Sequence, residues 1–267
     1  MIAATADGVA FESIGLGLKS HNIPVLPPTK DNTIELADRD GAVDFGSTYG
    51  PRIFNLDCIV MADDPTLDYQ RRVALVAALF NIRKRDIVFT FGDLIGKRYV
   101  GRYAGTMDIT KLIFDGEVSI PIKMNSPWPE STQDTTVREY GQGLEYGQGY
   151  LYSDYAVWIG SSGQNIVVRN EGSISAYPVL RISGAFSSFS LTDGVSTLVL
   201  SGTSSASDVW EINCDPGECT VRLNGQNAYF RSNGVFFELR PGNTTFTVSG
   251  GSLAFNLAFV FRYKYLY

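Results

Sequence analysis

The chain contains one histidine and three cysteines among its 267 residues. His21 alone cannot build a histidine-based metal site, and no two cysteines have the CxxC spacing of a zinc site. The odd cysteine count argues against a disulfide scaffold. Cys214 and Cys219 flank the Asp-Pro-Gly-Glu turn of a predicted hairpin. The two alternatives are a disulfide between them and two reduced thiols. Assembly in the cytosol favours the reduced thiols.

Positive charge and long apolar runs are also scarce. Residues 1–126 have 14 basic and 16 acidic side chains, and residues 127–267 have 8 and 12, which gives the formal net charge of −6. Because neither half is basic, sequence-specific binding of nucleic acid is not expected. The first residues lack the basic segment of a secretory signal, and no apolar run approaches the roughly 20 residues of a membrane span. We therefore expect synthesis in the cytoplasm and no membrane insertion.

The composition favours a β-rich globular protein. Hydrophobic residues make up 44% of the chain, aromatic residues 12%, and there are 27 glycines, which favours short strands joined by tight turns. The polar, proline-containing stretch 125–136 predicts a domain boundary. We expect a first domain at 1–130, a linker at 131–155 that contains two copies of Tyr-Gly-Gln-Gly, and a second domain at 156–267.

One segment of the first domain, residues 65–80, has helical periodicity. Asp64 is the predicted N-cap and Pro65 the predicted first helical residue. The apolar positions then follow at helical spacing: Tyr69, Val73, Val76 and Phe80. This stripe predicts a helix that packs on a sheet.

Alternating apolar positions predict strands on both sides of this helix, at 33–37, 52–61, 87–91, 97–103 and 117–124. Pro121 lies on the outward face of the last one, which predicts an edge strand or a position near a strand end. Charged and aromatic residues alternate over 97–103, which is typical of an exposed or interface strand. From residue 156 onward, short strands recur with turn signals between them, which predicts an antiparallel sandwich.

The patterns that could indicate catalysis have structural explanations. No serine lies in a GxSxG motif, and His21 precedes a proline-rich turn, so we interpret it as a solvent-exposed loop residue. A glycosidase could use carboxylates such as Asp63, Asp64 and Asp68, but Asp64 is explained as a helix cap and Asp68 as a partner of the helix dipole. We expect no enzymatic activity, no cofactor and no metal.

Several segments, taken in order, resemble the distal tail protein family of siphophages. One of them, residues 35–54, has an acidic strand, an Arg-Asp-Gly turn, and a Tyr and an Arg before the next strand. The others include the opening hairpin, a Tyr-x-Gly-Arg strand, the segment that leaves the first domain, and the closing strands: residues 7–18, 98–105, 124–130, 165–184, 236–248 and 261–266. No single motif is a catalytic signature, and the resemblance extends over nearly the whole chain.

The resemblance implies an N-terminal β-barrel or sandwich with one packed helix, similar to a tail-tube subunit, and a C-terminal galectin-like antiparallel β-sandwich. Six copies would close into a ring in the virion, with the tail-tube protein on one face, the tail-tip protein on the other and a central channel for DNA. Assembly would take place in the host cytoplasm. No large insertion interrupts the C-terminal strands, so we expect the chain to lack the long arm with which some relatives hold receptor-binding proteins. Receptor-binding proteins and a host saccharide are further candidate partners.

A closed ring needs two different faces that meet head to tail. Our candidates for these faces are charged and aromatic residues of the first domain: Tyr49, Arg52, Arg98, Tyr99, Arg102 and Tyr103. The alternative for these residues is an ordinary solvated strand face. Two other functions stay open: a lectin-like protein that binds carbohydrate in the recognition of host cell walls, and a glycosidase that degrades them.

Overall fold

A computed structural model of the chain describes residues 1–38, 40–83, 86–136 and 156–267. The described residues form two compact units, one of Met1–Glu130 with Leu266–Tyr267 and one of Ser131–Tyr265. Antiparallel sheets and a single α-helix make up this part of the chain, which confirms the predicted mainly β fold. Both copies of Tyr-Gly-Gln-Gly lie outside the described residues.

The first unit is built from short and medium-length strands around one helix. Its described elements are β1 (Ala4–Ala6), β2 (Val9–Ala10), β3 (Leu16–His21), β4 (Thr29–Glu35), β5 (Ala42–Tyr49), β6 (Arg52–Val60), α1 (Leu67–Leu79), β7 (Ile87–Phe91), β8 (Lys97–Tyr103), β9 (Ile109–Lys111), β10 (Gly116–Met124) and β11 (Glu130–Ser131).

A row of antiparallel strands closes into a barrel in this unit. The neighbours follow the order β1, β7, β8, β10, β6 and β3. The ends of the row meet where the Ile2 N–H, just before β1, donates to the carbonyl of Leu18 in β3 at 2.9 Å. Closure leaves these strands without a long free edge on which another chain could extend the sheet.

The inner face of the barrel follows the predicted alternation. In β6 the even-numbered residues Phe54, Leu56, Cys58 and Val60 are at most 2% exposed, and in β10 Val118, Ile120, Ile122 and Met124 are at most 4% exposed. The register places Ile120 opposite Leu56 at the centre of the pair. Full burial of an aliphatic side chain contributes about 1.5–3 kcal/mol, so this β6–β10 pair contributes substantially to the stability of the unit.

Helix α1 buries its predicted apolar stripe, including Tyr69, Val76 and Phe80. The Phe80 ring stacks on Phe89 of β7 at 6.1 Å between centroids. The helix begins two residues later than the sequence predicts, with Thr66 at the N-cap position. The carboxylate of Asp64 still binds the helix start, since its Oδ1 accepts from the N–H groups of Thr66 and Leu67 at 2.7 and 3.0 Å.

The predicted edge position of Pro121 is wrong. Strand β10 lies inside the sheet, paired with β6 along its whole length and with β8 and β9 on its other side. Pro121 falls between the residues that pair with β9 and those that pair with β8. Its carbonyl accepts from the Ala104 N–H at 3.0 Å, and its nitrogen, which faces the same side, meets no ladder acceptor. The gap between two short neighbours accommodates a proline in a central strand.

The second unit consists of strands joined by tight turns. Its described strands are β12 (Ala156–Ile159), β13 (Gln164–Asn170), β14 (Val179–Ala185), β15 (Ser188–Thr192), β16 (Thr197–Leu200), β17 (Val209–Asn213), β18 (Thr220–Leu223), β19 (Gln226–Asn227), β20 (Gly242–Gly251) and β21 (Ala254–Val260).

These strands form two antiparallel sheets that enclose one core. One sheet has the order β12-β21-β14-β17-β18-β19 and the other β13-β20-β15-β16. Phe246 of β20 and Phe259 of β21 meet between the sheets at 4.9 Å between ring centroids. The predicted alternation of the last strand is confirmed, because Phe255, Leu257 and Phe259 are fully buried. Asn224 and Gly225 both have positive φ at the predicted turn between β18 and β19, as a tight hairpin turn requires.

No helix in the described part of the chain has the length and apolar character that a membrane span requires.

Candidate assembly surface

Strands β4 and β5 form a two-stranded ribbon that belongs to none of the three larger sheets. Every residue of β4 is exposed, and in β5 only Val43 is half-buried. A lone two-stranded hairpin is marginally stable in water. The rest of the first unit therefore leaves most of the ribbon surface uncovered.

One face of the ribbon is apolar. Ile34 lies opposite Val43 in the register, and Phe45 lies two residues beyond Val43 on the same strand. Ile34 and Val43 therefore share a face, and Phe45 follows Val43 by two residues, the spacing of one face, at the point where the register shifts at a β-bulge. Ile34 is 53% exposed and Phe45 65% exposed. Exposed apolar side chains grouped in this way mark an interaction surface.

The rest of the ribbon is acidic. Residues 29–49 contain five acidic and two basic side chains, a net charge of −3. Asp31 accepts from the Ser47 hydroxyl at 2.6 Å, and Asp44 accepts from the Gly46 N–H at 2.8 Å. The polar face is therefore ordered by contacts within the ribbon, while the apolar face is left open.

A second apolar surface lies beside helix α1. It is a groove of about 400 Å³ between the helix and the segment that connects β8 to β9, which is within the size range of binding pockets. Its walls include side chains from both sides: Val73, Val76, Phe80, Ile82, Tyr103 and Met107. Ile82 is 66% exposed at the rim. We call this surface the α1 groove.

The segment that contains helix α1 is rich in arginine. From Leu67 to Arg83 the chain has three arginines and one aspartate, a net charge of +2. Arg72 is held by Asp68, at 3.4 Å in an i,i+4 pair, and lies 3.9 Å from Asp63. Arg71 and Arg83 are exposed and form no ion pair with any described residue.

The six interface candidates occupy different environments. Tyr49 is 44% exposed at the base of the ribbon, where its ring meets Trp128 edge to face at 5.2 Å. Arg102 is exposed, and Tyr103 is half-buried in the wall of the α1 groove. Arg98 is mostly covered and pairs with Glu130 at 2.6 Å. An interface role for these four residues stays a prediction.

Burial corrects the expected surface position of the other two, Arg52 and Tyr99, which are both 0% exposed. Even parity places Arg52 on the inner face of β6 beside Phe54. Tyr99 points inward from β8, where its ring lies 6.1 Å from that of Phe54. In the single chain neither side chain is accessible to solvent.

The guanidinium of Arg52 is enclosed at one end of the barrel. Nη2 donates to the carbonyl of Leu266, while Nε and Nη1 have no hydrogen-bond partner among the described residues. Burial lowers the pKa of Arg52, and it also lowers that of nearby Lys97. Lys97 donates to the carbonyl of Tyr267 and lies over its ring at 5.1 Å. The two cationic side chains thus hold the last two residues of the chain against the barrel.

The predicted loop position of His21 is wrong. His21 ends strand β3, and its side chain is only 10% exposed. Its Nε2 lies 2.9 Å from Oδ2 of Asp93, and its ring packs on Phe91 at 5.1 Å. The histidine is therefore a packing residue of the barrel. No cluster of three metal-ligating side chains occurs among the described residues.

The three cysteines are free thiols. Cys214 and Cys219 follow and precede the paired strands β17 and β18, as the hairpin prediction requires. Burial raises the pKa of the Cys58 thiol to about 12, and the negative charge of neighbouring Asp57 adds a smaller contribution. Burial also raises the pKa of Cys214 to about 11. Cys219 is half-exposed.

We expect one fast-reacting thiol per native chain in a titration with Ellman's reagent at pH 8. The thiolate is the reactive form, and a raised pKa keeps Cys58 and Cys214 protonated until the pH approaches 11. Unfolding in guanidinium should release the other two thiols. The Cys219→Ser variant should lose the fast phase, and a native chain with no fast thiol would contradict the free state of Cys219.

Family models match both halves of the chain. Residues 10–124 match the phage tail protein RIFT-related domain, and residues 171–263 match the siphovirus-type tail component, C-terminal domain. The matches take in 115 and 93 of the 267 residues. The chain belongs to the siphophage distal tail protein family. It is thus a structural component of a phage tail, and the resemblance found in the sequence is confirmed.

Solved structures share the fold of this distal tail protein. The crystal structure of the distal tail protein of phage SPP1 superposes with a TM-score of 0.73 at 18% identity, over 99% of this chain and 99% of that one. A chain of the phage P2 baseplate in its activated, calcium-containing conformation gives a TM-score of 0.51 at 11% identity, over 98% of each chain. The search of curated proteins found no match.

The sequence prediction missed the apolar face of the ribbon. The signal was present, because Ile34 and Leu36 alternate with Thr33 and Glu35, and Val43 and Phe45 flank Asp44 on the return strand. Alternation identifies an apolar face, but it does not tell whether the same chain or another copy covers that face.

Proposed function

We propose that this chain is the ring-forming hub at the distal end of a siphophage tail. Six copies close around a channel for DNA, bind the tail-tube protein on one face and bind the tail-tip protein on the other. The observation that carries the proposal is the open apolar face of the β4–β5 ribbon in a chain of this family. The barrel strands are closed on themselves, so we expect copies to join through side-chain packing, and the ribbon offers an exposed apolar face for it.

The relatives support this proposal. The SPP1 protein is described as a paradigm of the hub adsorption apparatus in phages that infect Gram-positive bacteria, and the P2 chain belongs to a baseplate. A ring of identical copies requires two different surfaces on each copy, which meet head to tail. The ribbon projects, and the α1 groove recedes elsewhere on the same unit.

The test is the mass and shape of the purified protein, by light scattering and negative-stain imaging. Six copies of 29.2 kDa make a particle of about 175 kDa, and we expect this mass with a central hole. The tail-tube protein should be added where the protein alone is monomeric. A monomer that gains no mass even then would overturn the proposal.

A second candidate function, carbohydrate binding by the second unit, is favoured by exposed aromatic rings. Trp158 of β12 is 58% exposed, and Phe230, in a short 3₁₀ turn after β19, is 84% exposed. Such rings can stack on sugars, although the aromatic residues of this unit are mostly buried in its core. Saturable binding of cell-wall saccharide that the paired Trp158→Ala and Phe230→Ala changes remove would support this function.

A further inference from the structure

We propose that one end of the barrel binds a small inorganic anion, of the size of chloride, between the guanidinium of Arg52 and the hydroxyl of Tyr99. The proposal concerns the interior of a single copy and does not depend on the ring. Three observations on the described residues carry it.

The first observation is an enclosed positive charge. Arg52 is fully buried, and although burial lowers its pKa, an arginine keeps its charge at neutral pH. Nη2 donates to the carbonyl of Leu266, whereas Nε and Nη1 donate to no described acceptor. Tyr99 and Tyr267 interact electrostatically with this charge, but neither accepts a hydrogen bond from Nε or Nη1. A buried charge of this kind calls for a partner of opposite sign.

The second observation is a neutral donor at the same end of the barrel. Arg52 of β6 lies opposite Met124 of β10, and the β8–β10 register, continued by one residue, places Gly101 of β8 beside Met124. Tyr99 lies two residues before Gly101 on the same inward face. It is fully buried, and its hydroxyl has no hydrogen-bond partner in the described part of the chain. Burial raises the pKa of Tyr99, so the phenol keeps the proton that it can donate.

The third observation is an excess of positive charge around these groups. Lys97 lies close enough to Arg52 that the arginine charge adds to the effect of burial in lowering the pKa of the lysine. Asp93 is the carboxylate whose charge reaches Tyr99, and it is already paired with His21 at 2.9 Å. The two enclosed cations therefore outnumber the carboxylates available to them among the described residues.

The chemistry of the open groups favours an anion over water. The N–H groups of Arg52 and the O–H group of Tyr99 are donors, so their common ligand has to accept hydrogen bonds. A chloride ion accepts several hydrogen bonds and neutralises the arginine, whereas a water molecule adds no negative charge. Because both side chains are fully buried, a small monovalent ion fits better than sulfate or phosphate.

Urea unfolding of the full chain tests the site, with chloride replacing gluconate at constant ionic strength. A ligand that binds only the folded state raises the folding equilibrium constant in proportion to its concentration, once that exceeds the dissociation constant. We expect a tenfold rise in this constant for the first unit per tenfold rise in chloride. The Arg52→Met protein should show no such dependence, and Tyr99→Phe, which removes only the hydroxyl, should need more chloride for the same effect.

Arg102→Met is the matched control, because Arg102 is an exposed arginine of the same barrel, and this variant should keep the full chloride dependence. Crystals grown in bromide supply a second readout, which does not rely on any variant folding. An anomalous bromide peak beside Arg52 would support the site. Equal chloride dependence in the unchanged and Arg52→Met proteins would overturn it, and so would stability independent of chloride or bromide crystals without that peak, as expected if water occupies the position.

Discussion

Aspartate at both positions 34 and 45 should leave each copy folded but weaken self-association by at least about 100-fold. Each apolar side chain contributes about 1.5–3 kcal/mol when buried, and an unpaired carboxylate in an apolar contact adds a further penalty. A combined loss of about 3 kcal/mol per contact already corresponds to a factor of about 100. Sedimentation velocity over a concentration series measures the change.

The fold should survive this double change, because Ile34 and Phe45 are exposed in the single chain. Circular dichroism and the melting temperature should therefore match the unchanged protein. Val195→Asp is the matched control, since Val195 is an apolar residue 93% exposed in the second unit. A ring that forms with undiminished affinity after the Ile34→Asp and Phe45→Asp changes would show that the ribbon does not join the copies.

Trp210→Ala should destabilise the second unit by about 3–5 kcal/mol, the range for removal of a large buried aromatic side chain. Trp210 is fully buried, its Nε1 donates to the Ser204 hydroxyl at 3.1 Å, and the Arg231 guanidinium lies 4.7 Å from the ring centre. The change leaves a cavity and removes the N–H group that donates to the Ser204 hydroxyl. Differential scanning calorimetry should show a transition lowered by roughly 10 °C or more.

Trp158→Ala provides the control within the same unit, because it removes the same side chain from an exposed position on β12. We expect a change below about 1 kcal/mol, as for most surface substitutions. An equal decrease in the free energy of unfolding in the two variants would contradict the prediction that burial of Trp210 is what stabilises the unit.

The sequence predicts the strands and the helix where one face is covered by the same chain. The alternation of Phe54, Leu56 and Cys58 in β6 and the stripe from Tyr69 to Phe80 in α1 are such cases. These patterns report burial directly, since an apolar side chain at each inward position is what the core requires.

The prediction fails where a residue's environment depends on a distant segment. A proline cannot donate a ladder hydrogen bond and therefore favours an edge strand. At Pro121 the gap between β8 and β9 removes the need for that hydrogen bond inside the sheet. His21 precedes prolines in the sequence, yet it packs against Phe91 and Asp93, about 70 residues away. Arg52 lies at an inward-facing position of β6, and its charge alone predicts a position on the surface.

The same limit applies to the assembly surface. Charge and aromaticity predict Tyr49, Arg98, Arg102 and Tyr103, whereas the exposed large apolar side chains of the first unit include Phe45 and Ile113. A single chain has to be folded before exposed apolar area can be distinguished from buried apolar area. This is why the ribbon becomes a candidate only in the structure.

The return of Leu266 and Tyr267 to the first unit sets an order of events during synthesis. Residues 1–130 leave the ribosome long before residue 266 exists, so the nascent barrel holds Arg52 without its carbonyl partner while the second unit is translated. Domains fold as they emerge, but this one receives the contacts of Leu266 and Tyr267 only after residues 131–265 have been made. A ribosome-bound fragment that ends near residue 130 should therefore be more easily cleaved by protease than the same residues in the full chain.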